Sequence, residues 1–153
     1  MTNQPLPAMV NSIRAVDSLV ANEFVLELDG EPVTGVFSVT GLVSFKLDLH
    51  QPALVNEPFR ISKMVQRDPH NRFNVWLRET ISAGASGPRP RRTLTVLAVD
   101  NAVTIRRWIV KGAWIAEVRY SDFNTASGEL VEEIVTVYYD ALETEWTLLD
   151  AGS

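Results

Sequence analysis

Residues 93–140, TLTVLAVDNAVTIRRWIVKGAWIAEVRYSDFNTASGELVEEIVTVYYD, constrain the fold most, because their apolar residues recur with a period of two. Leu94, Val96 and Ala98 alternate with Thr93, Thr95, Leu97 and Val99, which predicts a strand. Asp100-Asn101 then supplies residues that tolerate the left-handed backbone of a tight hairpin turn. A return strand follows over 103–111, and Gly112 interrupts it. Over 113–120, Trp114, Ala116, Val118 and Tyr120 fall on one face and Ile115, Glu117 and Arg119 on the other. The first face is assigned to the core and the second to solvent. After a loop at 121–128, residues 130–140 form a long strand rich in β-branched and aromatic side chains.

Upstream, Phe24, Leu26 and Leu28 alternate in a first strand, Asp29-Gly30 marks a turn, and 33–40 reads as a second strand. Val43, Phe45, Leu47 and Leu49 alternate again after Thr40-Gly41. Residues 50–67 are mostly irregular, with a short strand predicted over 59–64. Asp68-Pro69 signals a helix start, and Phe73, Trp76, Leu77, Thr80 and Ile81 form an apolar stripe that Gly84 closes. Residues 1–21 read as an N-terminal arm with a weak helical pattern from Val10 to Val20, and 22–149 as one β domain. Apolar residues of the tail, Trp146, Leu148 and Leu149, are expected to dock on the body.

A second feature is shared between two separated segments. Arg107-Trp108, Lys111-Gly112-Ala113-Trp114, Asp122-Phe123-Asn124-Thr125-Ala126, Glu129-Leu130-Val131 and the run from Val135 to Leu142 occur in the C-terminal half. The strand from Phe24, the Asp29-Gly30 turn and Phe37-Ser38-Val39-Thr40-Gly41-Leu42 occur in the N-terminal half. In this order, around a central helix, they resemble phage-tail-like inner tube proteins of contractile phage tails and extracellular contractile injection systems. The family pattern runs roughly R-W-x-L-x-N-A-W-P, D-L-N-A, N-E-V and L-E-L-A-H-E-G-L. Here Gly112 replaces the Asn, Ile115 the Pro, Tyr139 the His and Ala141 the Gly.

The resemblance implies an α+β fold, a mainly antiparallel β-sandwich or barrel with one packed α-helix. It also implies a structural, non-enzymatic subunit without cofactor or metal, closing into hexameric rings that stack as a hollow tube. Partners would be further copies, sheath and baseplate or spike proteins, and DNA or protein cargo in the lumen. The polar strand face with Glu117, Arg119, Glu132 and Thr136 is the candidate lumen lining. The irregular connection carries Leu54, Val55 and Phe59, candidates for a contact between rings; Trp108 belongs either to the core or to a subunit interface.

Other chemistry finds little support in the residues. Zero cysteines exclude disulfides and thiolate sites, and His50 and His70 have no clustered carboxylates beside them. Glu132 and Glu133 are adjacent in a strand and point to opposite faces, so they cannot act as a paired acid and base. No P-loop, dinucleotide fingerprint or nucleophile elbow occurs. The formal net charge of −5 argues against a dedicated nucleic-acid binder, and Arg89, Arg91 and Arg92 read as a solvated loop or a contact with an acidic partner. The N-terminus lacks the apolar core of a signal peptide, and no run is long enough to span a bilayer, so synthesis in the cytoplasm and export within a particle are expected. Without the resemblance, the main alternative is a small-ligand carrier, a β-barrel lined by Tyr138, Tyr139 and the tryptophans; a hydrolase or isomerase ranks last for want of an acid/base constellation.

Overall fold

The computed structural model describes residues 19–20 and 23–147. The predicted arm at 1–21 therefore lies, Leu19 and Val20 apart, outside the described residues, as do Leu148 and Leu149 of the tail. Among the described residues, eight strands and one helix follow one another as β1 (Phe24–Leu28), β2 (Glu31–Val33), β3 (Val36–Thr40), β4 (Phe59–Met64), α1 (Arg72–Ala83), β5 (Arg92–Asp100), β6 (Val103–Tyr120), β7 (Glu132–Tyr138) and β8 (Ala141–Trp146). All pairings are antiparallel, in the order β2-β1-β5-β6-β7-β4-β3, with β8 on β6.

Strand β6 spans 18 residues and serves two sheets. Its first part lies between β5 and β8, and its second part pairs with β7. Of the three irregularities along it, two near its middle let it bend. Leu94 pairs with Val110 but Arg92 with Ala113, so an extra residue sits at Lys111-Gly112; Gly112 has φ +65°. A second one falls at Ala116, between the pairs Ile115↔Val137 and Glu117↔Thr136. Each extra residue reverses which side chains face inward. Val110, Ala113 and Ile115 are buried, and Val118 packs on the core after the second reversal.

The expected facing of 113–120 is therefore corrected in part. Val118 faces the core, but Trp114 and Ala116 do not, and Ile115 is buried. Trp114 instead stacks on Tyr138, its cross-strand partner, on the outer face at 5.2 Å. The hairpin turn before β6 is formed by Asn101 and Ala102, both at positive φ, one residue later than predicted. Asp29 and Gly30 form the first turn, both with positive φ. The second predicted strand is two strands in different sheets, divided at Gly35 (φ +79°). The alternating residues 43–49 make no strand, only an isolated Leu47↔Leu54 bridge, and residues 141–146, before the undescribed end of the tail, form the strand β8.

Helix α1 begins at Arg72, later than Asp68-Pro69 implied. Asp68 accepts a bond from the His70 amide, and Asn71 is the N-cap, its Oδ1 accepting from Asn74 N at 2.8 Å. Phe73, Trp76 and Leu77 join Leu28 and Leu94 of one sheet and Ile61 and Val135 of the other in a single buried cluster. Trp76 donates its indole N–H to the Pro90 carbonyl and meets Phe73 edge-on. Ile81 is 65% exposed: at 100° per residue it falls beyond the edge of the stripe that Phe73, Trp76, Leu77 and Thr80 define. The three arginines of the predicted solvated loop are ties within the chain. Arg89 donates to the Gly87 carbonyl, Arg91 bonds Asp140 at 2.9 Å, and Arg92 pairs with Glu79 and Asp29.

The core also holds an ion pair. Lys63 and Glu133, opposite each other on β4 and β7, are buried with Nζ 3.1 Å from Oε1. The same ammonium donates to the Met64 carbonyl and lies 5.0 Å from the centre of the Phe73 ring. Tyr120 lies opposite Glu133 across β6 and β7, and its own burial, then the Glu133 charge, raises the phenol above its ordinary range. Burial, then the charge of Glu57, raises Tyr139 likewise.

Three measurements check this packing. Lys63→Ala strands a buried carboxylate and should cost about 3–5 kcal/mol in urea unfolding, whereas Lys63→Met with Glu133→Leu should be neutral or stabilising. Trp76→Ala should cost about 3–5 kcal/mol, and Trp114→Ala only about 0.5–1.5 kcal/mol for its lost ring stack; equal losses would contradict the outward facing of Trp114. Finally, a folded-state tyrosine pKa above the unfolded one means that the unfolded chain ionises first, so stability falls as pH rises past 10.0. Tyr120→Phe should flatten that decline when unfolding is followed on either side of pH 10.0.

Candidate assembly surfaces

The register of β7 with its neighbours brings the four candidate lumen residues onto one face. Thr136 lies opposite Glu117, Ile134 opposite Arg119, and Glu132 shares their side of β7, away from Glu133 and the core. Arg119 bonds Glu117 at 3.3 Å, so these two charges offset each other at the surface. On the neighbouring strand Arg60 pairs with Thr136 in the ladder. The stacked Trp114 and Tyr138 stand on the same side.

The candidate contact residues separate. Leu54 is exposed and Val55 half-buried in the connection between β3 and β4. Phe59 is only 1% exposed and packs on Tyr139, because it starts β4 on the same side as Ile61 and Lys63; it is a core residue and not a contact residue. Trp108 is half-buried: it packs against the core cluster and donates its indole N–H to Ser44 Oγ at 2.9 Å. It also lines an open groove of about 710 Å³ between Phe24, Val96 and Ala98 of one sheet and Val36, Val39 and Leu42. The cavity expected of a carrier is not formed by the two tyrosines. Tyr138 is on the outer face and Tyr139 is buried against Phe59, on the opposite side of the strand.

The connection itself is an ordered arm. Lys46 and Val55 are joined by a backbone bond of 2.8 Å, Asp48 and Ala53 by one of 2.9 Å, and Lys46 pairs with Glu57. At the tip Asp48 accepts from the His50 amide and then from the Gln51 side chain, which hold its carboxyl below the usual range. Asn56 ties the base to the Asp140 carbonyl. Phe45, Leu47, Leu49 and Leu54 nevertheless stay exposed, Leu49 by 91%.

A surface that the alternation pattern does not reveal lies at the other end of the second sheet. Met64, Val65, Tyr120, Phe123, Leu130 and Val131 line an open, largely apolar hollow of about 340 Å³. Phe123 is 80% and Leu130 68% exposed. Two large apolar residues within an otherwise polar loop are the signal of it that the sequence carries. Local bonds order that loop, Asn124 Oδ1 accepting from Ala126 N and Ser121 Oγ from Glu132 N. Among the described residues, no three His, Cys, Asp or Glu side chains converge as a metal site.

Neither a family profile nor a curated protein sequence matches the chain. Solved structures do. A chain in the cryo-EM structure of the anti-feeding prophage cap, its tube terminating cap, is similar over 86% of this chain and 93% of its own length, with TM-score 0.69 and 18% identity. A chain of the extended sheath-tube complex of the PVC extracellular contractile injection system is similar over 90% of this chain and 97% of its own, with TM-score 0.68 and 15% identity. One from the sheath/tube terminator of the same system covers 84% and 97%, with TM-score 0.67 and 15% identity. In fold, the chain is similar to the phage-tail-like tube proteins of contractile injection systems.

Proposed function

We propose that this chain is a structural tube subunit of a contractile injection machine or phage tail. It closes into six-membered rings that stack as a hollow conduit. The observation that carries the reading is the near full-length match, in both directions, to chains of a tube terminating cap and a sheath-tube complex. Two physical features support it. Among the described residues, strands β2, β3 and β8 each pair on one side only, which leaves edges that neighbouring subunits can use. Apolar side chains also stand exposed at both ends of the second sheet.

In this reading the face with Glu117, Arg119, Glu132 and Thr136 lines the lumen, and DNA or protein cargo passes along it. Leu54 and Val55 serve contacts between rings, and Trp108 lies near a subunit boundary beside its groove. Sheath and baseplate or spike proteins bind the assembled tube. Its work is mechanical: a contracting sheath drives a stiff tube through an envelope, with no catalysis by the subunit. Size-exclusion chromatography and negative-stain microscopy of the full chain test this. Six-fold rings or tubes are expected, and a compact monomer at every concentration would refute the reading.

A further inference from the structure

The space between the sheets is closed at one end and open at the other. Leu28, Leu94 and Val110 form a row across β1, β5 and β6, and each is at most 1% exposed. Helix α1 stands at that end, where Arg92 at the start of β5 pairs with its Glu79. Two rows further along the same strands lie Phe24, Ala98 and Arg106, with Trp146 of β8 opposite Arg106. Here the groove of about 710 Å³ opens, and Val36, Val39, Leu42 and Trp108 along it are only partly buried. Arg106 Cζ lies 4.7 Å from the centre of the Trp146 ring, and Arg106 Nε is buried without an acceptor among the described residues.

The chain that precedes β1 runs into this groove. Leu19 and Val20 line it, and Glu23 N donates to the Val20 carbonyl at 3.1 Å, so a turn leads from the groove back to Phe24. Residues 1–18 lie upstream. At 100° per residue, Met9, Ile13 and Val16 would share one side of a helix within about 60°, with Asn11, Arg14 and Ser18 across from them. Pro5 and Pro7 set its upstream limit. A helix that short is marginal alone in water and gains its stability from a surface to pack on.

We infer that residues 9–18 form a second helix that fills the groove of their own chain. Met9, Ile13 and Val16 lie against Val39, Val96 and Trp108, and Asp17 accepts from Arg106 Nε. Ten residues make about 15 Å of helix, enough to cross from β1 over β5 to β6 at about 4.8 Å per strand. Asp17 falls on the flank of the apolar stripe, two residues before Leu19, and supplies the acceptor that Arg106 lacks. Because Ser18 is bonded to Leu19, already in the groove, the segment meets it at an effective concentration that a separate molecule rarely matches. The space between the sheets is then closed by a helix at each end. The inference goes beyond the tube reading and does not need it, since the occupant belongs to the same chain whether or not copies assemble.

The absence of native cysteines permits a direct test on the full chain. Val16→Cys with Val39→Cys, oxidised and separated without reductant, should give a bridge within one chain at every protein concentration. Val16→Cys with Ile81→Cys, on the exposed side of α1 at the closed end, should give none. In the unaltered chain, amides 13–18 should exchange with deuterium at least about tenfold more slowly than in a free peptide of residues 1–20. Asp17→Ala should lower the thermal midpoint, and lower it less when Arg106→Gln is already present. Exchange of 13–18 at the free-peptide rate would overturn the inference, whatever the cysteine variants do. A folded Val16→Cys, Val39→Cys protein without the bridge would overturn it too, as would a bridge that joins two chains, since a second copy would then be the occupant. Equal midpoint losses from Asp17→Ala in both backgrounds would overturn the Asp17–Arg106 contact. Rings and tubes are scored separately by microscopy, so either reading can fail alone.

Discussion

The structure depends on one strand doing duty in two sheets. β6 has a neighbour on one side along its first part, β5, while the other side passes from β8 to β7. A regular strand cannot make that passage with the same side chains facing inward throughout, because the two sheets turn away from each other. The irregularities at Gly112 and Ala116 supply the change of direction. At Gly112 the backbone takes φ +65°, and a Cβ there would overlap the Asp140 carboxylate. That carboxylate bonds Arg91, whose other contact is the Gly112 carbonyl, so the bend is held from the side.

How much of this is legible in the sequence follows from what each pattern can encode. The Asp29-Gly30 turn, the alternation of β5 and the stripe of α1 are local signals, and local geometry obeys them. The extra residue at Ala116 leaves no trace in a period-two reading, which therefore turns Trp114 inward when it faces out. Residues 43–49 alternate as well as any strand, but among the described residues they gain only the Leu47↔Leu54 bridge, and alternation alone does not supply a ladder. Phe59 resembles a loop residue because Pro58 precedes it; its parity with Ile61 shows the inward side. The four lumen candidates do share one face, since a charged strand residue is costly to bury without a partner.

Lys63 is the exception to that last rule, and it has a partner. Its position continues the inward series of Phe59 and Ile61, so a charged residue occupies a core site. A one-residue slip of β4 against β7 would turn Lys63 outward and leave Glu133 buried without its cation. Alternative registers therefore carry the penalty of a stranded charge, while apolar pairs alone would discriminate less. The pair works as a register device beside β7, which is rich in interchangeable β-branched residues.

The arm between β3 and β4 has a thermodynamic consequence of its own. Its base is closed by the bonds between Lys46 and Val55 and between Asp48 and Ala53, and its tip is held by Asp48. A free connection of that length would surrender backbone freedom, at about 1–2 kcal/mol per residue, on meeting any surface. Here folding has already imposed most of that order. What the exposed leucines lose on contact is chiefly side-chain rotation, so the arm behaves as a stiff peg whose entropy was given up in advance.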